Sequence, residues 1–481
     1  MENEDKINGA QHQAADNEAG KTSRRQFLKA AGLGVAGAAA LAAGGSHLGL
    51  FPGRGEVKSA LPDIKETTYR LNPKNGDKVS LLGFGCMRFP VLPEATAPNS
   101  PQIDEAASFR LIDRALEAGV NFFDTSWLYH GGQSEVVMGR ALKRHPRDSY
   151  FISDKMPPVN PDLAQAKEIF QGHLDRLQTD YIDYYLLHSL STKEGYQTVY
   201  ERNGVLDYLL EEKAAGRIRN LGWSFHGDEE CLDYVLGLPQ EWDFAMLQLN
   251  YHDLLHEYEP QSFVASRLAA PATPKWAFER LKPTGIPLLV MEPLLGGRLA
   301  RLSRKALTIL QQERPQDSAA SWAFRYVGSL PNVLSVLSGM TYLEHLEDNL
   351  RTYGPLEPLS DRELAVLQKA LATFISQEVV RCTTCGYCTP CRYGIDIPGV
   401  FSHFNRCVDD DRIPRGERNA DYERARRAYL VGYDRSVTEL AQAERCTGCN
   451  ECLPRCPQRL DIPGELARLG RFAEQLRNEV A

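Results

Sequence analysis

The sequence predicts an α/β protein: a parallel (β/α)8 barrel followed by a smaller, mainly helical domain. Three observations carry this. Between residues 81 and 339, eight short apolar runs alternate with amphipathic stretches of helical length. All but Cys86 and Cys231 of the 11 cysteines fall between Cys382 and Cys456, so a cysteine-poor body precedes a cysteine-dense tail. Hydrophobic residues make up 43% and charged residues 25% of 481, the composition of a globular chain with a full-sized core, not of disorder or collagen-like repetition. The net charge of −8 offers no basic field for nucleic acid.

Residues 1–60 read as an address and linker. Residues 1–22 are polar and acidic; Ser23-Arg24-Arg25-Gln26-Phe27-Leu28-Lys29 then precedes Ala30–Gly45, a run of Ala, Gly, Leu and Val. This resembles a bacterial twin-arginine signal, which implies export to the periplasm or cell envelope, with a cytoplasmic location as the alternative. A buried helix following two arginines is the bland reading. The Gly-rich run, broken by Ser46 and His47, is short for a bilayer core of about 30 Å. Ala42 and Ala60 are both candidate cleavage positions, and an uncleaved anchor, the one membrane attachment in view, stays open. Gly32-x-Gly34-x-x-Gly37 matches a dinucleotide fingerprint, but no strand precedes it and it reads as signal core.

Residues 61–356 read as the barrel. A hairpin is expected from Thr68–Leu71 and Val79–Leu82 around the Asn75-Gly76 turn signal. The eight runs are Leu81–Met87, Asn121–Thr125, Tyr150–Lys155, Tyr181–His188, Ile218–Ser224, Phe244–Asn250, Pro287–Glu292 and Val333–Gly339. Among the helical stretches Glu105–Ala118 is the clearest, with apolar residues three and four apart. Continuous apolar strands such as Tyr184-Tyr185-Leu186-Leu187 suit a sheet buried on both faces. A doubly wound open sheet is the structural alternative.

Barrel chemistry sits at the C-terminal ends of strands. There the second run ends in Asp124 and Thr125 with Tyr129 just beyond, the third in Lys155 and the fourth in His188. Asp124, Thr125 and Tyr129, followed by Gln133-Ser134-Glu135 with Gly139, and then Lys155 and His188, resemble the aldo/keto reductase motifs in order and spacing. The resemblance covers about Thr67 to Tyr353. Taken singly, Asp124 reads equally as a cap, Lys155 as a solvated strand end and His188 as a core histidine; together they imply a catalytic tetrad. Carbonyl reduction needs a proton at oxygen as a hydride reaches carbon, and a free phenol, with a pKa of about 10, is a poor acid-base near neutrality. The resemblance therefore assigns Lys155 to lowering Tyr129, Asp124 to holding Lys155, and His188 to the substrate oxygen.

A nicotinamide site is matched only in part. Ser224 and Gln248 stand at carboxamide-binding positions, but Phe225 replaces the family's Asn, and Met291 replaces the aromatic that stacks on the ring. Gly339 through Asn349 follows the family's phosphate-binding stretch, with Gly339 and His345 where a basic pair grips a 2′-phosphate. NADH use or a different loop would explain these changes as well as loss of the cofactor.

After a linker helix within 357–380, opened by Ser360 with Glu363 as a capping box, residues 381–481 carry two quartets. Cys382, Cys385, Cys388 and Cys391 follow C-x2-C-x2-C-x2-C; Cys446, Cys449, Cys452 and Cys456 follow C-x2-C-x2-C-x3-C and precede Pro457. The second is the bacterial ferredoxin run for a [4Fe–4S] cluster. Ile395-Asp396-Ile397-Pro398-Gly399 and Leu460-Asp461-Ile462-Pro463-Gly464 repeat one unit after each quartet. Zinc and structural disulfides are the rival uses of these thiols. In two-cluster ferredoxins the fourth cysteine of each run serves the other cluster, so Cys391 is expected at the second site and Cys456 at the first, with Cys407 as a substitute for Cys391 or a core residue. Asp421–Gly432 and Ser436–Glu444 have helical patterns between the quartets.

The resemblance thus implies an iron–sulfur oxidoreductase: a small carbonyl or alcohol substrate at the rim, two [4Fe–4S] clusters, and a redox partner protein or quinone-linked donor. A hydride carries two electrons and a cluster passes one, so a nicotinamide, a flavin or two sequential cluster steps must divide the pair. An electron-transfer or binding protein with a silent barrel, and an ordinary NAD(P)H reductase, are the alternatives.

Overall fold

The computed structural model describes residues 67–95, 98–256, 272–375, 379–415 and 420–479. The signal-like segment and its glycine fingerprint lie outside the described residues. Strands β1 (Tyr69–Leu71) and β2 (Lys78–Ser80) form the expected antiparallel hairpin, with Gly76 at φ 81° in its turn, a left-handed conformation that favours glycine.

Eight parallel strands then close on themselves: β3 (Leu82–Gly85), β4 (Phe122–Asp124), β5 (Phe151–Met156), β6 (Ile182–Leu190), β7 (Ile218–Phe225), β8 (Phe244–Gln248), β9 (Leu288–Met291) and β10 (Val333–Ser338). The order is sequential, with β10 pairing β3, so the sheet is a closed barrel and not an open doubly wound one. Strand β6 runs on to Leu190, past the expected end at His188, because Leu190 still pairs with Phe225.

Side chains fill the barrel. Phe122, Tyr184, Leu186, Phe244, Met246, Leu289, Leu334 and Leu337 form an inner core to which the hairpin adds Val79. The Tyr184 hydroxyl donates to Asp77 Oδ2 at 2.8 Å and accepts from Asn72 Nδ2 at 3.1 Å, so the hairpin plugs the end opposite the rim and leaves that rim free for chemistry.

Among the surrounding helices, α1 (Glu105–Glu117) is capped by Asp104 and buries Leu111, Ile112 and Ala115. Helices α2 (Gln133–Leu142) and α3 (Leu163–Leu177) meet at Gly139, where a Cβ would lie 2.7 Å from Leu177 Cα. That motif glycine is therefore a close-packing residue. Helix α5 (Asp361–Ile375), read from sequence as a linker, packs on α4 (Arg304–Glu313) and places Leu367, Ala370, Leu371 and Phe374 in the barrel's outer core. Its capping box forms as expected: Glu363 N donates to Ser360 Oγ at 3.3 Å and Ser360 N to Glu363 Oε2 at 2.8 Å.

The tail has its own core. Val400, Phe401 and Phe404 of α6 (Ile397–Asp409) meet Tyr429 and Tyr433 of α7 (Ala420–Ser436) and Leu466, Leu469 and Ala473 of α8 (Ile462–Asn478). The sequence repeat is a pair of helix starts. Asp396 and Asp461 cap α6 and α8 by accepting from Gly399 N at 3.0 Å and Gly464 N at 3.1 Å. A Cβ at either glycine would collide with the capping carboxylate, which explains Gly at that position. The helix expected over Ser436–Glu444 does not form; α7 ends at Ser436 and only short turns at Glu439–Ala441 and Ala443–Arg445 follow. This backbone is spent on tertiary bonds instead: Ala441 O accepts from Asp396 N at 2.9 Å, and Ala443 N donates to the Tyr433 hydroxyl at 2.9 Å. The segment thereby ties the second repeat to the first.

Candidate active site

Strand order delivers the four rim residues to one place. Asp124 ends β4, Tyr129 opens the turn that follows, Lys155 lies near the end of β5, and His188 lies on β6. Lys155 Nζ donates to Asp124 Oδ1 at 2.8 Å and Oδ2 at 2.7 Å, and to Thr125 O at 2.5 Å. Ser153 Oγ donates to the same carboxylate at 2.8 Å. Asp124, Lys155 and His188 are buried. The ammonium sits 5.0 Å from the centre of the Tyr129 ring.

This geometry corrects one expectation. Burial, and then the Asp124 carboxylate, hold the Tyr129 phenol well above its ordinary value instead of below it. The reason is that Lys155 spends its donors on Asp124 and Thr125, so little net positive field reaches the phenol. Tyr129 is therefore held as a neutral phenol. Burial leaves even the paired Asp124 carboxyl above its usual range. His188 is held well below the usual imidazole value, by burial first and then by Lys155 and His226, and stays neutral.

Behind Lys155 lies a buried ionic knot that the sequence reading passed over. His173 Nδ1 of α3 stands 2.7 Å from Glu135 Oε1 and 3.1 Å from Asp154 Oδ2, and Arg176 pairs with Glu135 from the other side. Burial alone would lower His173, but Asp154 and Glu135 raise it to about 9; burial and Glu135 raise Asp154 to about 6. A histidine with a raised folded pKa adds stability that is complete below about pH 6.5 and lost as pH climbs through about 9. Unfolding by denaturant should therefore show stability falling across that window. His173→Gln should flatten the slope and cost about 3–5 kcal/mol at neutral pH, because two buried carboxylates lose their shared cation. A slope unchanged in the variant would show that another group sets it.

The tail roofs this rim. Gln458 Nε2 donates to Gln248 Oε1 at 2.8 Å, Arg459 Nη2 to Ser191 O at 2.9 Å, and Arg88 Nη2 to Thr384 O at 2.7 Å. Beneath lies a chamber of about 310 Å³, lined by the tetrad with Ser224, His226, Met291 and Gly339 on the barrel side and Thr383, Cys385, Tyr387 and Gln458 on the tail side. Tyr387, between two cysteines of the first quartet, lies 3.3 Å from His188 Nε2 and lines the chamber beside the Tyr129 phenol. Tyr387, Arg88 and Gln458 escaped the sequence reading; the one available signal was an aromatic in the first quartet where the second has Glu451.

The expected nicotinamide contacts are largely engaged elsewhere. Ser224 Oγ accepts from Ser189 N at 2.7 Å, and Gln248 Nε2 donates to Asp253 at 2.7 Å while its oxygen takes Gln458. Phe225, in place of the family's Asn, is a core ring against Trp223. Asn349 is buried and donates to Ser338 Oγ at 2.9 Å, away from the chamber wall. A Cβ at Gly339 would meet Arg88 Cγ at 2.6 Å, and one at Gly296 would meet Thr383 Cα at 2.6 Å, so the tail and Arg88 crowd the phosphate side. Ser224, Met291 and Gly339 line the chamber, and of these Met291 is placed to face a ring there.

The electrostatic neighbours of the quartet thiols fall into two groups, or nests, that cross the two runs. Burial, and then mutual proximity, push Cys382 to about 12 and Cys385 to about 11, with Cys456 a near neighbour of both and of Cys388. The Cys452 thiol, raised to about 11 by burial first, has Cys446, Cys449 and Cys391 around it. Cys407 faces His403 Nε2 at 3.6 Å in the tail core and joins neither nest. Among the described residues, no three thiols lie within 4.8 Å of one another. A tetrahedral zinc with bonds of about 2.3 Å would draw its sulfurs to about 3.8 Å. The all-thiol donor sets fit an iron–sulfur cube. Cys449 is exposed, whereas Cys385 faces the rim chamber.

Fold and rim together define a barrel oxidoreductase. The aldo/keto reductase family matches residues 81–372 and a 4Fe-4S dicluster domain matches residues 381–460. The chain belongs to the aldo/keto reductase family and carries an iron–sulfur domain of that type. It is 25% identical over 311 residues, 60% of its own length and 92% of the relative's, to the uncharacterized oxidoreductase YqkF of Bacillus subtilis. It is also 25% identical over 286 residues, 50% of this chain and 81% of the relative, to the NADH-specific methylglyoxal reductase of Escherichia coli. The solved aldo-keto reductase AKR11C1 from Bacillus halodurans aligns with 63% of this chain and 96% of its own, at 24% identity and a TM-score of 0.49.

Proposed function

We propose that the protein interconverts a small carbonyl compound and its alcohol at the barrel rim, with electrons carried by two [4Fe–4S] clusters in place of a resident dinucleotide. The carrying observation is the roof. The first cysteine loop lines the same 310 Å³ chamber as Tyr129, Lys155 and His188, a volume at the low end of the roughly 300–1,000 Å³ of small-molecule sites.

Cys382, Cys385, Cys388 and Cys456 would hold one cluster, and Cys391, Cys446, Cys449 and Cys452 the other. When bound, each cluster takes up or releases one electron. Reduction of a carbonyl consumes two electrons and two protons. Tyr129, as neutral phenol, delivers one proton to the carbonyl oxygen and water entering through the open rim supplies the other, to carbon; neutral His188 orients the oxygen; Asp124 holds Lys155 in place. Cys449, exposed on the tail, marks the side from which a redox partner or quinone-linked donor would be served. The twin-arginine-like sequence supports export with cofactors already inserted, to a compartment where free NAD(P)H is scarce.

The test is anaerobic purification with iron and sulfide assay, followed by aldehyde reduction driven either by reduced methyl viologen or by NADH and NADPH. About eight irons per chain and viologen-driven turnover are expected. Turnover with nicotinamide alone would install the ordinary reductase reading instead.

A further inference from the structure

The rim opens on two sides. Besides the 310 Å³ chamber there is a second cavity of about 740 Å³, whose wall includes Leu128, Pro158, Leu190, Tyr196 and Val199. The two cavities share Met87, Tyr129, His188, Cys385 and Tyr387. Tyr387 stands at this partition, with its hydroxyl 3.3 Å from His188 Nε2 and its ring beside Tyr129 in both walls. His188 and Tyr129 are the groups the proposed reaction needs at a substrate oxygen, and the Tyr387 phenol already occupies the histidine's contact.

We propose that Tyr387 is a specificity-determining gate, resting on the carbonyl reading of the rim. Its phenol holds the substrate oxygen's place at His188, and a ring-bearing aldehyde or ketone seated in the larger cavity reaches His188 Nε2 only by displacing it. The backbone cannot make this move. Gly386 is at φ 82°, where a Cβ would lie 2.5 Å from Asn99 Nδ2, and its carbonyl accepts from Thr389 Oγ1 at 2.6 Å. Arg88 holds the carbonyls of Thr383 and Thr384 at 3.2 and 2.7 Å. Opening is therefore a rotation of the side chain alone. Nor does the cysteine loop itself demand a tyrosine. The equivalent position of the second quartet is Glu451, which pairs with Arg392 on the surface. The large, apolar and aromatic wall selects the ring; the displaced contact at His188 selects the oxygen.

The test compares wild type and Tyr387→Phe, both cluster-loaded with matching visible spectra, in calorimetric binding of acetophenone and of ethylbenzene as its oxygen-free shape mimic. Freeing His188 Nε2 should tighten the ketone roughly tenfold and leave ethylbenzene unchanged. An equal gain for both probes, or no gain for the ketone, overturns the gate. Should the variant fail to load clusters, wild-type crystals soaked with acetophenone decide: the ketone oxygen replacing the phenol at His188 supports the gate, and a ketone bound with the Tyr387–His188 contact intact overturns it. Ketone binding by neither protein overturns the carbonyl reading of the rim, and the gate with it.

Discussion

Tyr129→Phe should lower kcat for viologen-driven carbonyl reduction by about 10³-fold, within the range of roughly 10²–10⁴ for loss of a positioned acid. The ring and its packing survive, so iron content and visible spectrum should not change. The phenol is a donor only while protonated, and burial with Asp124 holds it protonated well into the alkaline range. In the proposed reaction His188 would orient the oxygen as neutral imidazole, and burial with Lys155 holds it neutral well into the acid range. The signs agree: wild-type kcat should stay flat between about pH 6 and pH 9, because neither group changes state there. Rates measured across that range at saturating substrate check both statements. An unchanged rate in Tyr129→Phe would mean that the barrel is scaffold and that the protein's business is electron transfer through the tail.

Periodicity made the barrel legible because each strand is a short apolar run between amphipathic helices, and a strand buried on both faces leaves no other pattern. Asp124, Lys155 and His188 were legible for a related reason: strand ends in a closed barrel all deliver side chains to one rim, so residues on three successive strands must converge. What stayed hidden depended on how the tail docks. Gln458 on Gln248 and Arg459 on Ser191 join residues more than two hundred positions apart, with no periodicity to connect them. The failed helix over Ser436–Glu444 has the same cause, since its composition suits a helix while Asp396 and Tyr433 offer its backbone better partners. The error over Tyr129 was one of sign. Placing a lysine beside a phenol does not reveal how completely a carboxylate has claimed the ammonium.

The crossed nests yield the other large effect. Cys456 belongs by sequence to the second quartet but by position to Cys382, Cys385 and Cys388, and Cys391 belongs likewise with Cys446, Cys449 and Cys452. Single replacements should therefore group by space. Cys456→Ala should lose about four of about eight irons and show the same residual electron paramagnetic resonance spectrum as Cys385→Ala, while Cys391→Ala matches Cys449→Ala. An uncrossed arrangement would pair Cys456→Ala with Cys449→Ala and end the assignment. The two groups should also differ at the rim. Cys456 directly precedes Pro457, Gln458 and Arg459, whose bonds to Gln248 and Ser191 close the chamber. Cys385 itself lines that chamber and sits two residues before Tyr387. Losing the first nest should thus remove the roof along with the nearer of the two proposed electron carriers, and ketone binding should weaken with turnover. Losing the second leaves the roof's anchors in place, so turnover should fall while ketone affinity holds. That split between binding and rate, measured on the same four variants, separates a tail that only feeds electrons from one that also builds the active site.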